Sequence, residues 1–230
     1  MGKRDYYSRS VVAETYDAMR FGGKSGKYVD NREIEIVKNL VGKTGLLLDV
    51  ATGTGRFAIA LKDSCDIIVA SDYSKEMLIQ AKKKCVLPYV RADAFKLPFS
   101  DDTFDTAITI RFLLHYEDFR NILRELIRVT KPGGYVIFDT YSWSPQTAPI
   151  IARTFDGRVY IHRESDIMDF AEKENLELVE KTSAFLFSPT LYRYIPFPVV
   201  RMLDALERSI SPSMKVRTFW KFRVKKQQEH

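Results

Sequence analysis

Leu46-Leu47-Leu48-Asp49-Val50-Ala51-Thr52-Gly53-Thr54-Gly55, followed by Arg56-Phe57-Ala58-Ile59-Ala60-Leu61, decides how the rest of this chain is read. The apolar run ending in a carboxylate predicts a buried strand, the small residues a tight turn, and the last six residues a helix. A strand that passes through a glycine turn into a helix N-terminus offers backbone N–H groups to a nucleotide-like ligand. The acid within the turn adds a condition: a fixed carboxylate there opposes phosphate and favours a cationic group.

Outward from this stretch, short apolar runs alternate with helical ones. Strands are expected at Leu46–Val50, Ile67–Ser71, Pro88–Val90, Phe104–Ile110 and Tyr135–Thr140. Helices are expected at Gly55–Lys62, Ser74–Lys84 and Asp118–Thr130. Ser74 has the chemistry of an N-cap, and Lys82, Lys83 and Lys84 suit the negative end of the helix dipole. Lys131-Pro132-Gly133-Gly134 is expected to end the Asp118–Thr130 helix. Repeated β-α-β units imply a parallel sheet covered on both faces.

After residue 140 the rhythm slackens. A Ser/Pro loop (Ser142–Pro149), a helix (Ser165–Glu174) and an alternating strand (Glu177–Phe187) precede an aromatic- and proline-rich insertion, Ser188 to Met214. Within it Val199, Leu203, Leu206 and Ile210 recur at helical spacing, and Thr218–Val224 reads as a last strand. Before the first strand, Tyr6 to about Leu40 is helical, with a turn or hinge at Gly22-Gly23-Lys24-Ser25-Gly26. That segment is either a cover over the ligand or a simple helical cap.

The totals fit one soluble domain, 1–230: 230 residues, 45% apolar and 29% charged. No apolar run approaches the roughly 20 residues of a membrane span, and no secretory leader is visible, so a cytoplasmic location is expected. Cys65 and Cys85 form neither a metal-type pair nor a disulfide framework. The formal charge is +6, and the segment from Lys215 to His230, with six basic residues and one acid, accounts for +5 of it. A nearly neutral body with a basic tail is not the broad basic face of a nucleic-acid binder; the tail reads as a solvated terminus or an anionic surface contact.

Asp49, Asp72 and Asp93 fall at the ends of successive strands. Asp72 follows Asp49 by 23 residues, near the ~20 expected of an acid that meets ribose hydroxyls. Asp93 is placed to accept from an adenine amino group, with Phe95 or Tyr73 flanking the ring. The ordered set Leu48–Gly55, Ser71–Leu78, Ala92-Asp93-Ala94, Leu97-Pro98-Phe99, Phe104-Asp105 and Lys131-Pro132-Gly133-Gly134 resembles the class I S-adenosylmethionine-dependent methyltransferases, in particular their quinone-methylating branch. Two departures stand out: Ala51 replaces the first glycine of the family's turn, and Asn175 stands where glycine often precedes the sixth strand.

The resemblance implies a Rossmann-like seven-stranded sheet in the order 3-2-1-4-5-7-6, the last strand antiparallel. It implies a helical cap over 1–41, a cofactor-binding core over 46–140 and an acceptor-side insertion over 188–214. It also implies S-adenosyl-L-methionine as the cofactor. Ala51, Thr52, Gly53 and Gly55 would form its turn, with Asp49 toward its ammonium group. Asp72, Tyr73 and Met77, then Asp93, Ala94 and Phe95, would surround the adenosine. Arg111 and Phe112 would line the methyl-donating end, with Tyr16 or Tyr28 closing over it; an aromatic face beside a sulfonium gains cation–π attraction.

Methyl transfer from a sulfonium is an in-line displacement, so the protein mainly aligns reactants and excludes water. His115 is the candidate base for an acceptor that arrives protonated, against a structural role capping the next helix. His162 reads as structural or substrate-side, and His230 as terminal. The aromatic insertion suggests a small hydrophobic or aromatic acceptor, against a dimer contact or an added packing layer. A monomer or homodimer is expected, with no transmembrane segment and with peripheral membrane contact open.

Three rival readings of the sequence exist. Gly53-Thr54-Gly55-Arg56-Phe57-Ala58 satisfies the nicotinamide-cofactor pattern, but Asp49 would crowd a pyrophosphate. The glycine-lysine stretches at Gly22–Lys27 and Gly42–Thr44 fail the phosphate-loop spacing and follow no strand. A cofactor-binding partner subunit without turnover is the third. Arg111-Phe112-Leu113-Leu114 has no Asn-Pro-Pro-Tyr-like character, which counts against amide or base-nitrogen methylation.

Overall fold

The computed structural model describes residues 6–142 and 159–225. Helices α1 (Ser10–Phe21) and α2 (Gly23–Val41) precede strand β1 (Thr44–Val50). Then follow α3 (Arg56–Leu61), β2 (Cys65–Asp72), α4 (Lys75–Lys84), β3 (Tyr89–Arg91) and β4 (Phe104–Thr109). Next come α5 (Arg120–Val129), β5 (Thr130–Tyr141), α6 (Glu164–Lys173) and β6 (Leu176–Ala184). The insertion carries α7 (Pro189–Tyr192) and α8 (Phe197–Glu207), and β7 (Arg217–Val224) ends the sheet.

The seven strands lie in the order β3-β2-β1-β4-β5-β7-β6. The first five are parallel, and β7 runs antiparallel between β5 and β6. Alternate residues of the buried strands feed opposite faces. Leu48, Phe104, Phe138 and Trp220 join α5 and α6 in one core, while Leu47, Ile68, Ile108 and Phe219 join α2 and α3 in the other. The order reverses between β1 and β4, and such a switch point opens a crevice at the C-terminal strand ends.

Several local expectations need correction. Lys131-Pro132-Gly133-Gly134 lies within β5, whose pairing with β4 shifts register between Phe104 and Thr106. A Cβ on Gly134 would sit 2.7 Å from the Asp105 carbonyl oxygen, so glycine lets the two strands approach. Asp105 accepts from the Leu46 N–H at 2.7 Å and pairs with Lys131 at 2.7 Å. These two motifs therefore lock the strands together near their N-terminal ends, away from the crevice. Leu97-Pro98-Phe99 is fastened by Arg128, which donates to the carbonyls of Leu97 and Phe99.

The Gly22–Gly26 hinge narrows to Gly22, because Gly23 to Gly26 already belong to α2. β6 stops at Ala184 rather than Phe187, since Phe185 turns to φ 69°. Its burial does not alternate either: Leu178 and Val179 are both exposed, where a register shift between Leu178 and Glu180 breaks the two-residue period. The basic tail is not simply solvated. Arg217 is fully buried, Lys221 Nζ sits 4.3 Å from the Tyr135 ring centroid, and Arg223 pairs with Glu177. Residues 143–149 of the Ser/Pro loop, Lys226 and His230 lie outside the described residues.

Candidate active site

Ala51, Gly53 and Gly55 all adopt positive φ (58°, 58° and 81°) as the chain leaves β1. A Cβ built on Gly53 meets no atom within 4 Å, so the space before the turn is open. At Gly55 the added Cβ would lie 3.0 Å from the Ala81 Cβ. Gly55 therefore lets α3 seat against α4 and does not line the cavity, whereas Ala51, Thr52, Gly53 and Thr54 do. Asp49 also stands behind the lining, 2% exposed, where it accepts from Thr52 Oγ1 at 2.6 Å. Burial, with some help from the Asp72 charge, pushes its carboxyl up to about 7 against the hydrogen bonds from Thr52 and the Ala58 backbone and the Arg56 charge.

At the next strand end Asp72 lines the cavity, and its two oxygens accept backbone N–H bonds, among them those of Gly53 and Ser74, both at 2.8 Å. Ser74 caps α4 by accepting from the Met77 N–H. Burial raises the Asp72 carboxyl above its ordinary range despite these donors. Tyr73, Met77, Asp93 and Ala94 line the same wall. Phe95 does not: its ring packs edge-on against Tyr116, 5.1 Å between centroids, and Tyr116 takes the lining position. Arg111 and Phe112 follow β4 along the opposite wall.

The N-terminal segment closes the mouth. Tyr7 and Tyr16 line the cavity, and Ser74 Oγ donates to the Tyr7 carbonyl at 2.9 Å. Asp17 on α1 accepts from Thr54 Oγ1 at 2.7 Å and pairs with Lys84. His115 lines the cavity beneath this cover, its Nε2 3.5 Å from Tyr7 Oη. A smaller side pocket adjoins it, sharing Tyr7, Tyr16, Arg111 and His115 and adding Arg20, Tyr141, Val159 and Thr190.

A family model described as a methyltransferase domain matches residues 48–138. A demethylmenaquinone methyltransferase of Clavibacter sepedonicus is 40% identical over 115 residues, 48% of this chain and 46% of the relative, so the chain spans about half the length of that relative. A demethylmenaquinone methyltransferase of Corynebacterium efficiens is 32% identical over 177 residues, which are 70% of this chain and 75% of the relative. The chain belongs to the quinone-methyltransferase branch of the class I S-adenosylmethionine-dependent methyltransferases. A crystal structure of a methyltransferase from Thermotoga maritima shares the fold, with a TM-score of 0.72 at 19% identity, covering 97% of this chain and 100% of that one.

A buried ionic cluster lies behind the cavity wall, and little in the sequence announced it. Glu33 of α2, fully buried, accepts from Arg56 at 2.7 Å and Arg111 at 2.8 Å, and also pairs with Arg217. Asp139 of β5 pairs with Arg217 and accepts from the Arg111 N–H at 2.5 Å, and Asp30 accepts from Arg56 at 2.5 Å. Burial alone would raise the Glu33 carboxyl, but three guanidinium groups hold it far below the usual carboxylate range. The Arg111 side chain is thus committed to Glu33, and its backbone is held at φ 63°. Arg56 also lies 4.2 Å from the ring centroids of both Phe21 and Phe57.

Tyr28 does not reach the cavity. Its hydroxyl donates to Asp204 of α8 at 2.5 Å, and its ring stacks on Tyr192. The insertion mostly braces the cover, as in the Ser25 hydroxyl bond to the Ile195 carbonyl, and only Thr190 reaches the side pocket. His162 is structural: it is buried, meets the Leu113 carbonyl at 3.3 Å and packs on Phe119, and burial lowers its basicity. Gly23 to Lys27, weighed as a phosphate loop, are helical. Among the lining residues that sequence reasoning did not assign are Tyr7, Thr54, Arg56, Phe57, Ser74, Ala92, Ile110 and Tyr116; Tyr7 carried a signal as an aromatic in the N-terminal segment.

Proposed function

We propose that this chain transfers the methyl group of S-adenosylmethionine to a quinone-type acceptor in its reduced, hydroquinone form. The observation that carries the proposal is a single cavity. It brings the glycine turn, Asp72 and Asp93 to one wall and sets Tyr7, Tyr16 and His115 over its open end. The names of the relatives supply the acceptor class.

The residues suit the cofactor. Asp72 accepts backbone N–H bonds on both oxygens yet lines the cavity, where its remaining acceptor capacity meets the ribose hydroxyls. Asp93 accepts the adenine amino group, and Tyr73, Met77 and Ala94 take the ring, in place of the expected Phe95. Thr52, held by Asp49, meets the ammonium end, so Asp49 acts from behind the turn. The clear space at Gly53 admits close approach. When bound, the cofactor supplies a methyl group already activated by its sulfonium. Tyr16, the Arg111 backbone and Phe112 surround that end and exclude water.

The acceptor ring approaches from the side of Tyr141, Arg20 and Thr190, where the small side pocket must widen to admit it. Methylation of a hydroquinone releases one proton, which His115 accepts beside the Tyr7 hydroxyl. On this reading 1–230 acts as one catalytic domain: 1–41 is the cover, 46–140 the cofactor core, and 188–214 a brace that contributes Thr190 to the acceptor side. Thermal melts in the presence of S-adenosylhomocysteine or NAD test the cofactor, and methyl-labelled cofactor with a panel of hydroquinones tests the reaction. Stabilisation by S-adenosylhomocysteine with label on a hydroquinone is the expected result. Stabilisation by NAD alone overturns the cofactor assignment, and binding without turnover points to a partner subunit.

A further inference from the structure

Helix α8 has eleven residues and is built back to front for a helix that faces water. Its inner side is held to α2: Val200 is fully buried and Leu203 packs beside it. Its acids also point inward, Asp204 accepting from Tyr28 Oη and Glu207 being 3% exposed. The outer side instead carries Val199, Met202 and Leu206, which are 39%, 61% and 50% exposed. To one side of this stripe Arg201 is exposed, and so is Arg208 just past the helix end, which reaches Asp204 at 3.5 Å with its side chain still 77% exposed; no acid on the helix is exposed. An apolar stripe edged with arginine is the pattern of a helix lying in a lipid interface.

We infer that the outer face of α8 docks this protein on an anionic lipid surface, with Val199, Met202 and Leu206 in the headgroup boundary and Arg201 and Arg208 on anionic headgroups. Charge favours this occupant over a second copy of the chain. A two-fold contact through this face would bring the arginines of both copies together with only acids already committed inside each helix. Phe197, where α8 begins, is seven residues after Thr190 of the side pocket. In between, Arg193 donates to the Met19 carbonyl at 2.5 Å, and Tyr194 stands 60% exposed. Docking would therefore hold the acceptor side close to the lipid in which a hydrophobic acceptor dissolves. That consequence rests on the proposed function, whereas the docking itself does not.

The test uses the whole chain in flotation with phosphatidylcholine vesicles, with and without phosphatidylglycerol. Wild type is expected to float with the anionic vesicles and to be released by salt. Arg201→Glu with Arg208→Glu should lower the partition coefficient at least about tenfold, and Met202→Ser with Leu206→Ser should lower it with the melting temperature retained. Wild type that fails to float, variants that float equally well, or a wild-type dimer that Met202→Ser with Leu206→Ser splits in sedimentation would each overturn it. Turnover of a water-soluble hydroquinone, measured in parallel, keeps the two ideas apart: its absence in wild type counts against the proposed reaction alone.

Discussion

Ala51 sits at φ 58°, a region in which a Cβ is strained. Ala51→Gly is expected to stabilise the chain by about 0.5–1 kcal/mol, a rise of roughly 1–4 °C in a thermal melt; a lower melting temperature would show that the turn gains more from its methyl group. Asp49, pushed up to about 7 mainly by burial, keeps its proton in the folded chain where the unfolded chain has lost it. Its contribution to apo stability therefore falls as pH rises from the ordinary carboxylate range toward 7. A cation at the turn favours the ionised form. Calorimetric affinity for S-adenosylhomocysteine should then tighten by up to about tenfold per pH unit below 7 and level off above it, and Asp49→Asn should flatten that profile. His115→Ala should lower kcat about 100-fold or more with cofactor affinity kept; an unchanged kcat would return His115 to a structural role. At this scale the acids were legible because a carboxylate at a strand end is visible in the chain. The exclusion of Phe95 and Gly55 from the cavity was not, since it depends on which neighbour, Tyr116 or Ala81, each packs against.

Among the elements, local rules worked where local physics sets the outcome. Ser74 caps α4 as expected, and the lysines gather in its last turn. Local rules ran out where another strand intervenes: α5 does end just before Lys131-Pro132-Gly133-Gly134, but the pairing of Thr130 and Tyr135 with β4 on either side makes the motif part of β5. The burial of Glu33 in α2 is likewise set by partners far along the chain, Arg56, Arg111 and Arg217. Removing one partner of a buried ionic cluster leaves charge uncompensated. Glu33→Gln is thus expected to destabilise the protein by about 3–5 kcal/mol, measured by urea unfolding, and to loosen the cover where α2 meets the cavity wall. Because the folded-state Glu33 carboxyl titrates below its unfolded value, its contribution is present above the ordinary glutamate range. It is lost as pH falls toward the folded-state value. Acid unfolding of wild type that tracked that of Glu33→Gln would count against this role.

At the scale of the whole molecule, the cavity is formed only when the cover, the strand ends and α4 come together. A ligand that binds the folded chain alone stabilises it by about 2.7 kcal/mol at a hundred times its dissociation constant. S-adenosylhomocysteine at that level should raise the melting temperature by several degrees; no shift would remove the cofactor assignment. Among the described residues no helix is long and apolar enough to cross a membrane. The sequence by itself determined the doubly covered sheet, because apolar period and turn chemistry act between near neighbours. It also placed Asp49, Asp72 and Asp93, because each closes a strand. Only the tertiary structure decided which aromatics close the mouth, that Tyr28 and the insertion brace rather than line, and that Arg56, Arg111 and Arg217 share Glu33. Those outcomes depend on burial and on contacts between residues up to 184 positions apart, and no pattern along the chain encodes such a distance.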